Sequence, residues 1–387
     1  MDSNNTSGIQ AFLKGETTAG LVLMGAAILA LIVANTPAAG LYGDFLEYTV
    51  LSKTVLHWIN DGLMAVFFFL VGLEIKREVV EGELSTRAKA ALPILAAAGG
   101  MAGPAIIYVA LNWGNADNLR GWAIPTATDI AFALGIMALL GSRVPPALKI
   151  FLTALAVIDD LGAIAIIAVF YTADISGAAL GAAALCIAAL VALNRMGVRF
   201  IGVYAVLGIV LWVAVLKSGV HATMAGVITA LCVPASKDAQ GASPLLKLEH
   251  GLHPYVTFLI LPLFAFANAG VSLTAITRDA MLHPVTLGIV GGLFFGKQVG
   301  VLAIAYAARA VGWVQLPPGA SAAQFYGTAL LTGVGFTMSL FIGNLAFVGP
   351  DRLAEVKIGV LAGSVISGIA GYIIIRLSAP PTAANKW

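Results

Sequence analysis

Asp159 and Asp160 stand side by side inside "FLTALAVIDDLGAIAIIAVFY" (151–171), a stretch otherwise apolar enough to lie in lipid. Asp61, Asp129 and Lys297 have similar surroundings. An ionisable residue at the centre of a membrane helix costs about 2.5–3.5 kcal/mol. Five of them facing lipid would be prohibitive, so they must face one another or a water-filled cavity. A cluster that only ties helices together would balance its charges. Four acids against one base leave a negative excess, which is what a cation site needs. Neighbouring helical residues point about 100° apart. The doublet therefore cannot share one proton face to face, but one aspartate can hold a cation while the other meets Lys297.

The elements that must position these groups are membrane helices. Of 387 residues, 60% are hydrophobic and only 10% charged, whereas soluble domains are about a quarter charged. The 43 glycines suit close helix packing in lipid. A net charge of +2 says little about partners; no basic block suggests nucleic acid, and the apolar composition points to the lipid bilayer. Cys186 and Cys232 stand singly in apolar runs, without metal or redox spacing. Apolar runs near the required 20 residues predict twelve spans: 17–36, 55–75, 91–112, 121–141, 148–171, 177–194, 200–216, 219–234, 251–272, 285–308, 323–347 and 354–376. An even number puts both termini on one side. With Lys14 and Lys386 inside, fourteen basic residues fall in cytoplasmic segments and six outside, with Lys297 left within a span. The polar N-terminus and long first run predict a retained helix rather than a cleaved signal. No soluble domain is visible, so 1–387 reads as a single integral-membrane transporter domain. The fold class is an all-α polytopic membrane protein.

Two spans carry interruptions. "GWAIPTATDIAFALGI" places Pro125, Thr126 and Thr128 ahead of Asp129, and "TGVGFTMSLF" places Gly333 and Gly335 among Thr332, Thr337 and Ser339. Each alone reads equally well as a kink. With charges beside them they predict two broken helices, the fourth and eleventh, crossing at mid-membrane with free backbone groups lining a cavity. Asp129 would then neutralise two positive helix N-termini, and Lys297 two negative C-termini.

Several long stretches together resemble the NhaA-type Na+/H+ antiporters of bacterial inner membranes. They are "NDGLMAVFFFLVGLEIKRE", "GWAIPTATDIAFALGI", "ALKIFLTALAVIDDLGAIAIIAVFY", "LKSGVHATMAGV", "LEHGLHP", "LILPLFAFANAGVSL" and "GVGFTMSLFI". The resemblance implies a multi-pass inner-membrane protein with cytoplasmic termini, exchanging Na+ or Li+ for protons, pH-regulated, with no cofactor and no enzymatic activity. It also implies inverted-topology repeats, about 91–171 and 285–376; this family is itself a standing example of that architecture. Asp159 and Asp160 resemble the ion-carrying pair, and Asp129 and Thr128 the acid and hydroxyl of the broken fourth helix. Lys297 resembles the lysine that pairs with the first aspartate. Glu74, Arg77 and Glu78 resemble one part of a pH-responsive entrance, and Glu249, His250 and His253 the other. His221 resembles a further pH-responsive position. Glu74, Arg77, Glu78 and Glu81 equally fit an ordinary charged helix face, and His250 and His253 interfacial anchors. His57 and His283 fall outside the matched motifs. The family's first connector forms a dimerising β-hairpin; "LYGDFLEYTVLSKTV" is shorter, which weakens the case for a homodimer. Leu246 also stands where a second basic residue is typical, beside Lys247.

Exchange needs only a site that takes Na+ or protons but not both, because each state excludes the other. Sodium prefers oxygen ligands, which Asp159, Asp160, Thr128 and water supply. If both aspartates give up protons for one Na+, the cycle moves net charge; if Lys297 releases the second proton, the charge balance is the same. An intramembrane aspartyl protease would need its aspartates on different helices and a Gly-x-Gly-Asp pattern, which is absent. A sodium-coupled symporter would not need so many acids, and a channel would show repeated filter sequences.

Overall fold

The computed structural model describes residues 15–172, 176–238 and 241–378; Lys14 and Lys386 lie outside them. Among the described residues, eight helices are long and apolar enough to cross a membrane. They are Thr17–Ala34, Arg87–Leu111, Pro146–Phe170, Gly177–Arg195, Pro244–Ala269, Pro284–Ala310, Ala322–Ala346 and Pro350–Ser378. A ninth appears if Ala116–Thr126 and Ile130–Leu139, bent by 43°, count as one. The second predicted span is helical from Val55 to Val80 with one π turn, and the seventh and eighth are helical but shorter. Met64–Val80 ends in the charged run Glu74–Glu78. Ile201–Leu216 is followed by a turn in which Gly219 takes φ +87°, so the next helix, Met224–Cys232, starts five residues later than the sequence suggests. Apolar side chains such as Ile28, Ile106, Val206 and Ile369 stand exposed on these helices, as a lipid-facing surface requires.

The described residues form two compact units. One combines the residues up to Ala39, Thr86–Ala163 and the residues from Asn268 on; the other combines Gly40–Ser85 and Ile164–Ala267. The second contains the one strand pair among the described residues. Thr49–Val50 and Lys53–Thr54 are antiparallel, closed by Leu51 and Ser52 at φ 49° and 70°. The shortened first connector thus still makes a hairpin. Its two-residue turn has the doubly left-handed conformation that matches strand twist, at some strain for non-glycine residues.

The first unit holds four of the five ionisable groups singled out above. Its core packs Leu92, Ala96 and Ala97 against Leu148, Leu152 and Leu155, with Val301 and Ala305 alongside. Three helices, Arg87–Leu111, the doublet helix Pro146–Phe170 and the lysine helix Lys297–Ala310, are thereby fixed together. The lysine helix meets Arg87–Leu111 backbone to backbone. A Cβ added at Gly99 would lie 2.1 Å from the Gly300 carbonyl oxygen, and one at Gly103 2.3 Å from that of Gly296. Only glycine permits this approach. The chain just before Lys297, Gly292–Gly296, takes one π-helical turn, an irregularity that often marks functional positions. Asp61, in the other unit, sits in a second such turn, Trp58–Leu63.

Gly300→Val should therefore separate the two backbones and displace Lys297. We expect less folded protein in detergent and a melting temperature lowered by several degrees, measured against Gly291→Ala, whose added carbon meets nothing closer than 3.2 Å. Equal melting temperatures would exclude this crossing as the support of Lys297.

Candidate functional site

Both predicted interruptions are present in the first unit, and they touch. In the first, Ile124–Thr126 forms a single 3-10 turn with Pro125 in it; Ala127 and Asp129 are extended, and a helix restarts at Ile130. In the second, Ala322–Leu331 ends, residues 332–335 are non-helical, and Phe336–Ala346 continues. The breaks share main-chain and side-chain hydrogen bonds. The Asp129 N–H donates to the Val334 carbonyl at 2.6 Å. The Thr128 hydroxyl lies 2.9 Å from the Thr332 carbonyl, and the Ser339 hydroxyl donates to the Ile124 carbonyl at 2.7 Å. Gly333 and Gly335 have ordinary backbone angles here; what they provide is room. A Cβ on Gly333 would lie 2.2 Å from the Leu293 carbonyl oxygen.

Asp129 caps two helices. Its Oδ1 accepts the N–H of Phe132 at 2.9 Å, in its own helix. Its Oδ2 accepts the Thr337 N–H at 3.0 Å and the Thr337 hydroxyl at 2.6 Å, at the start of Phe336–Ala346. A buried carboxylate between two helix N-termini is stabilised by both sets of unpaired amides.

Lys297 has no exposed surface and forms an ion pair with Asp159 Oδ2. It also donates to Thr128 Oγ1 at 2.9 Å. Both of its hydrogen-bond partners are side chains, so the neutralisation of two helix C-termini expected of it would act through charge alone. The Thr128 hydroxyl reaches both the Thr332 carbonyl and Asp159 Oδ2, the latter at 2.6 Å. One hydroxyl proton can serve only one of these acceptors at a time. Asp159 Oδ1 is buried and makes no hydrogen bond. Asp160 is equally buried, and its charge reaches the same ammonium. Asp159, Asp160, Thr128, Asp129 and Lys297 are thus gathered in one unit, at the meeting of three helices and two breaks.

The other predicted residues belong to the second unit. Asp61 pairs with His57 Nε2 at 3.0 Å, which gives that unmatched histidine a partner. His221, in the turn before Met224–Cys232, lies close enough to Asp61 for their charges to interact. Arg77 links Glu78 Oε1 and Glu249 Oε1, each at 2.8 Å. Glu249 is buried, with Oε2 making no hydrogen bond. Glu74 feels the charges of Glu249, Arg77 and Glu78. Glu81 instead pairs with Lys237 at 2.6 Å. His250 and His253 are exposed on Pro244–Tyr255. The i,i+4 face reading of this charge run is incomplete, because Arg77 also ties it to Glu249 on another helix.

Sequence reasoning missed three contributors to the breaks: the Thr332 and Val334 carbonyls and Ser364. Carbonyls carry no residue signature. Ser364 had one, a serine on the glycine-rich face of Pro350–Ser378, where Gly359, Gly363, Ser367 and Gly368 are also buried.

A bundle of apolar helices enclosing a carboxylate-rich cluster at two facing helix breaks defines a multi-pass membrane ion transporter. The family profile described as Na+/H+ antiporter 1 matches residues 10–375. The Na(+)/H(+) antiporter NhaA of Rhodospirillum rubrum is 59% identical over 387 residues, covering 96% of this chain and 97% of its own. The Na(+)/H(+) antiporter NhaA 2 of Pseudomonas syringae pv. syringae is 56% identical over 370 residues, covering 95% and 94%. The Na(+)/H(+) antiporter NhaA of Nitrobacter hamburgensis is 56% identical over 373 residues, covering 96% and 91%. The chain belongs to the Na+/H+ antiporter 1 family.

Removing Asp129 should uncap two helices at once. Asp129→Ala is expected to lower stability by about 1–4 kcal/mol, the loss of one or two caps. Asp129→Asn, which keeps one acceptor oxygen, should lose less. Lys297→Ala should cost about 3–5 kcal/mol, because it strands a buried carboxylate. Thermal unfolding in detergent measures all three, and unchanged midpoints would show that these groups do not hold the breaks.

Proposed function

We propose that the protein exchanges Na+, and Li+, for protons by competition at Asp159 and Asp160. The observation that carries this reading is the division of Asp159. Its Oδ2 is occupied by Lys297 and Thr128, while its buried Oδ1 has no partner. A dehydrated cation needs buried oxygens, and Oδ1 is one that no hydrogen bond satisfies. Taking Oδ1, Asp160 and the Thr128 oxygen, it would displace the ammonium from Asp159. Two protons would leave for one cation, one from Asp160 and the other from Asp159 or Lys297; by either route the cycle is electrogenic.

The arrangement is that of a transporter and not an enzyme. Sodium is cargo, and no resident cofactor is needed. We place the facing breaks at mid-membrane, within twelve spans whose termini are cytoplasmic in a bacterial inner membrane. Residues 91–171 and 285–376 serve as inverted repeats. Support for that pairing comes from their equivalence at the site: each contributes one broken helix and one intact helix with an ionisable residue at its centre. The resemblance also implies a homodimer through the first-connector hairpin; with two residues per strand, this hairpin has few main-chain groups to pair.

Glu74, Arg77, Glu78, Glu249, His221, His250 and His253 are assigned to pH response. The Arg77 bridge between Glu78 and Glu249 supports a coupled cluster, since protonating either carboxylate loosens one of its two ties. Competition at the doublet is the larger effect, because it needs no second site.

Proteoliposomes test the core of this reading. An imposed Na+ gradient should drive an opposite pH gradient without added solute. Asp159→Asn and Asp160→Asn should abolish it while leaving the protein folded, since asparagine keeps the shape and removes the titratable charge. Full exchange in either variant at saturating Na+ would remove the doublet from the mechanism.

The pH dependence separates the two regulatory ideas. Protons and Na+ sharing one site make the half-saturating Na+ concentration rise as pH falls, with most of the maximal rate recovered at high Na+. A maximal rate that collapses at moderately acidic pH despite saturating Na+ would point to the Glu249 cluster as a gate. Rates against Na+ at several pH values, with no imposed pH gradient, decide between them.

A further inference from the structure

The half-helix Phe336–Ala346 begins without a cap of its own. Its N-cap position, Gly335, has no side chain to offer, and its first amides are buried. Unpaired buried amides are costly. The Thr337 N–H goes to Asp129. Those of Gly335 and Phe336 go elsewhere: both donate to Ser364 Oγ, at 3.2 and 3.1 Å. Ser364 lies on a different helix, Pro350–Ser378, and is itself buried. The second break is therefore fixed from two sides, by a carboxylate and by a hydroxyl.

What the break does for the site runs through one atom. The Thr332 carbonyl, three residues before Gly335, is one of two acceptors for the Thr128 proton; the other is Asp159 Oδ2. When Thr128 donates to Thr332, its proton points away from Asp159, and once the ammonium has been displaced the Thr128 oxygen and Asp159 Oδ2 can both face a cation. When Thr128 donates to Asp159, its proton occupies a position a cation would need. A Thr332 carbonyl held within 2.9 Å keeps the first arrangement open beside the shorter contact to Asp159.

We infer that Ser364 is a positioning residue for cation binding. By capping Phe336–Ala346 from a neighbouring helix, it holds residues 332–335 so that the Thr332 carbonyl takes the Thr128 proton and leaves the Thr128 oxygen free for Na+. This rests on the exchange reading above. It concerns affinity rather than turnover, because Ser364 touches none of the groups that carry charge.

The test is Na+-dependent exchange in proteoliposomes, with hydrogen exchange at the Gly335 and Phe336 amides, on the parent and four variants. Ser364→Ala should raise half-saturating Na+ about three- to tenfold, the size expected for a lost helix cap. Its maximal rate should stay close to the parent's, and the two amides should exchange faster. Ser364→Cys keeps the shape with a weaker acceptor and should shift in the same direction by less. It also keeps the test available should the alanine variant fold poorly. Ser364→Thr, which retains the hydroxyl, should restore parental half-saturation. Ser367→Ala is the control: Ser367 lies one turn along the same helix, is buried and makes no hydrogen bond, so its loss should leave half-saturation unchanged. Unchanged half-saturation in both Ser364→Ala and Ser364→Cys overturns the inference. So does a fall in maximal rate alone, or an equal shift in Ser367→Ala. A parent that moves no protons in response to Na+ sinks the exchange reading itself, a result these variants cannot imitate.

Discussion

An ammonium and a carboxylate with almost no exposed surface persist as charges only when each answers the other. Lys297 and Asp159 do so across two helices, and much of the first unit follows from keeping them together. Burying a pair of charges costs several kcal/mol per ion, which only good geometry and further hydrogen bonds repay. Thr128 supplies one such bond, and it can do so only because the fourth span is broken where Thr128 lies. That break in turn exposes main-chain groups, which the second break, Asp129 and Ser364 satisfy.

The same constraint explains why the site is poised rather than stable. A structural pair would have both oxygens of each carboxylate occupied. Asp159 is satisfied on one side only, and its neighbour Asp160 adds a second negative charge to the same ammonium. Carboxylates outnumber cations in this buried cluster, so it is closest to neutrality when it holds protons or a metal cation.

Much of this was legible in the chain. The doublet, Asp129 and Lys297 announce themselves because charge within apolar spans has no bland explanation, and Pro125 with Gly333 and Gly335 marks both breaks. The partner of Lys297 was legible as an aspartate of the doublet, but its second partner was not. The Thr128 hydroxyl was not foreseen as that partner, because dipole arguments see helix termini and not the side chains between them. Ser364 went unnoticed for a related reason. A cap is ordinarily sought a residue or two before its helix, and this one comes from a helix later in the chain. The arginine bridge from Arg77 to Glu249 was hidden likewise: spacing along one helix predicts pairs on that helix, and this pair joins residues far apart in sequence.

The glycine crossing of Arg87–Leu111 with the lysine helix has a mechanical consequence. Where Gly99 and Gly103 meet Gly300 and Gly296, the two backbones lie in contact with no side chains between them. Such a joint resists rolling, since turning either helix about its axis drives a neighbouring side chain, such as Ile304, into the opposing main chain. The crossing thus holds the lysine helix in one rotational setting against residues 87–111, and the direction from which Lys297 approaches its carboxylate is set by a contact between main chains.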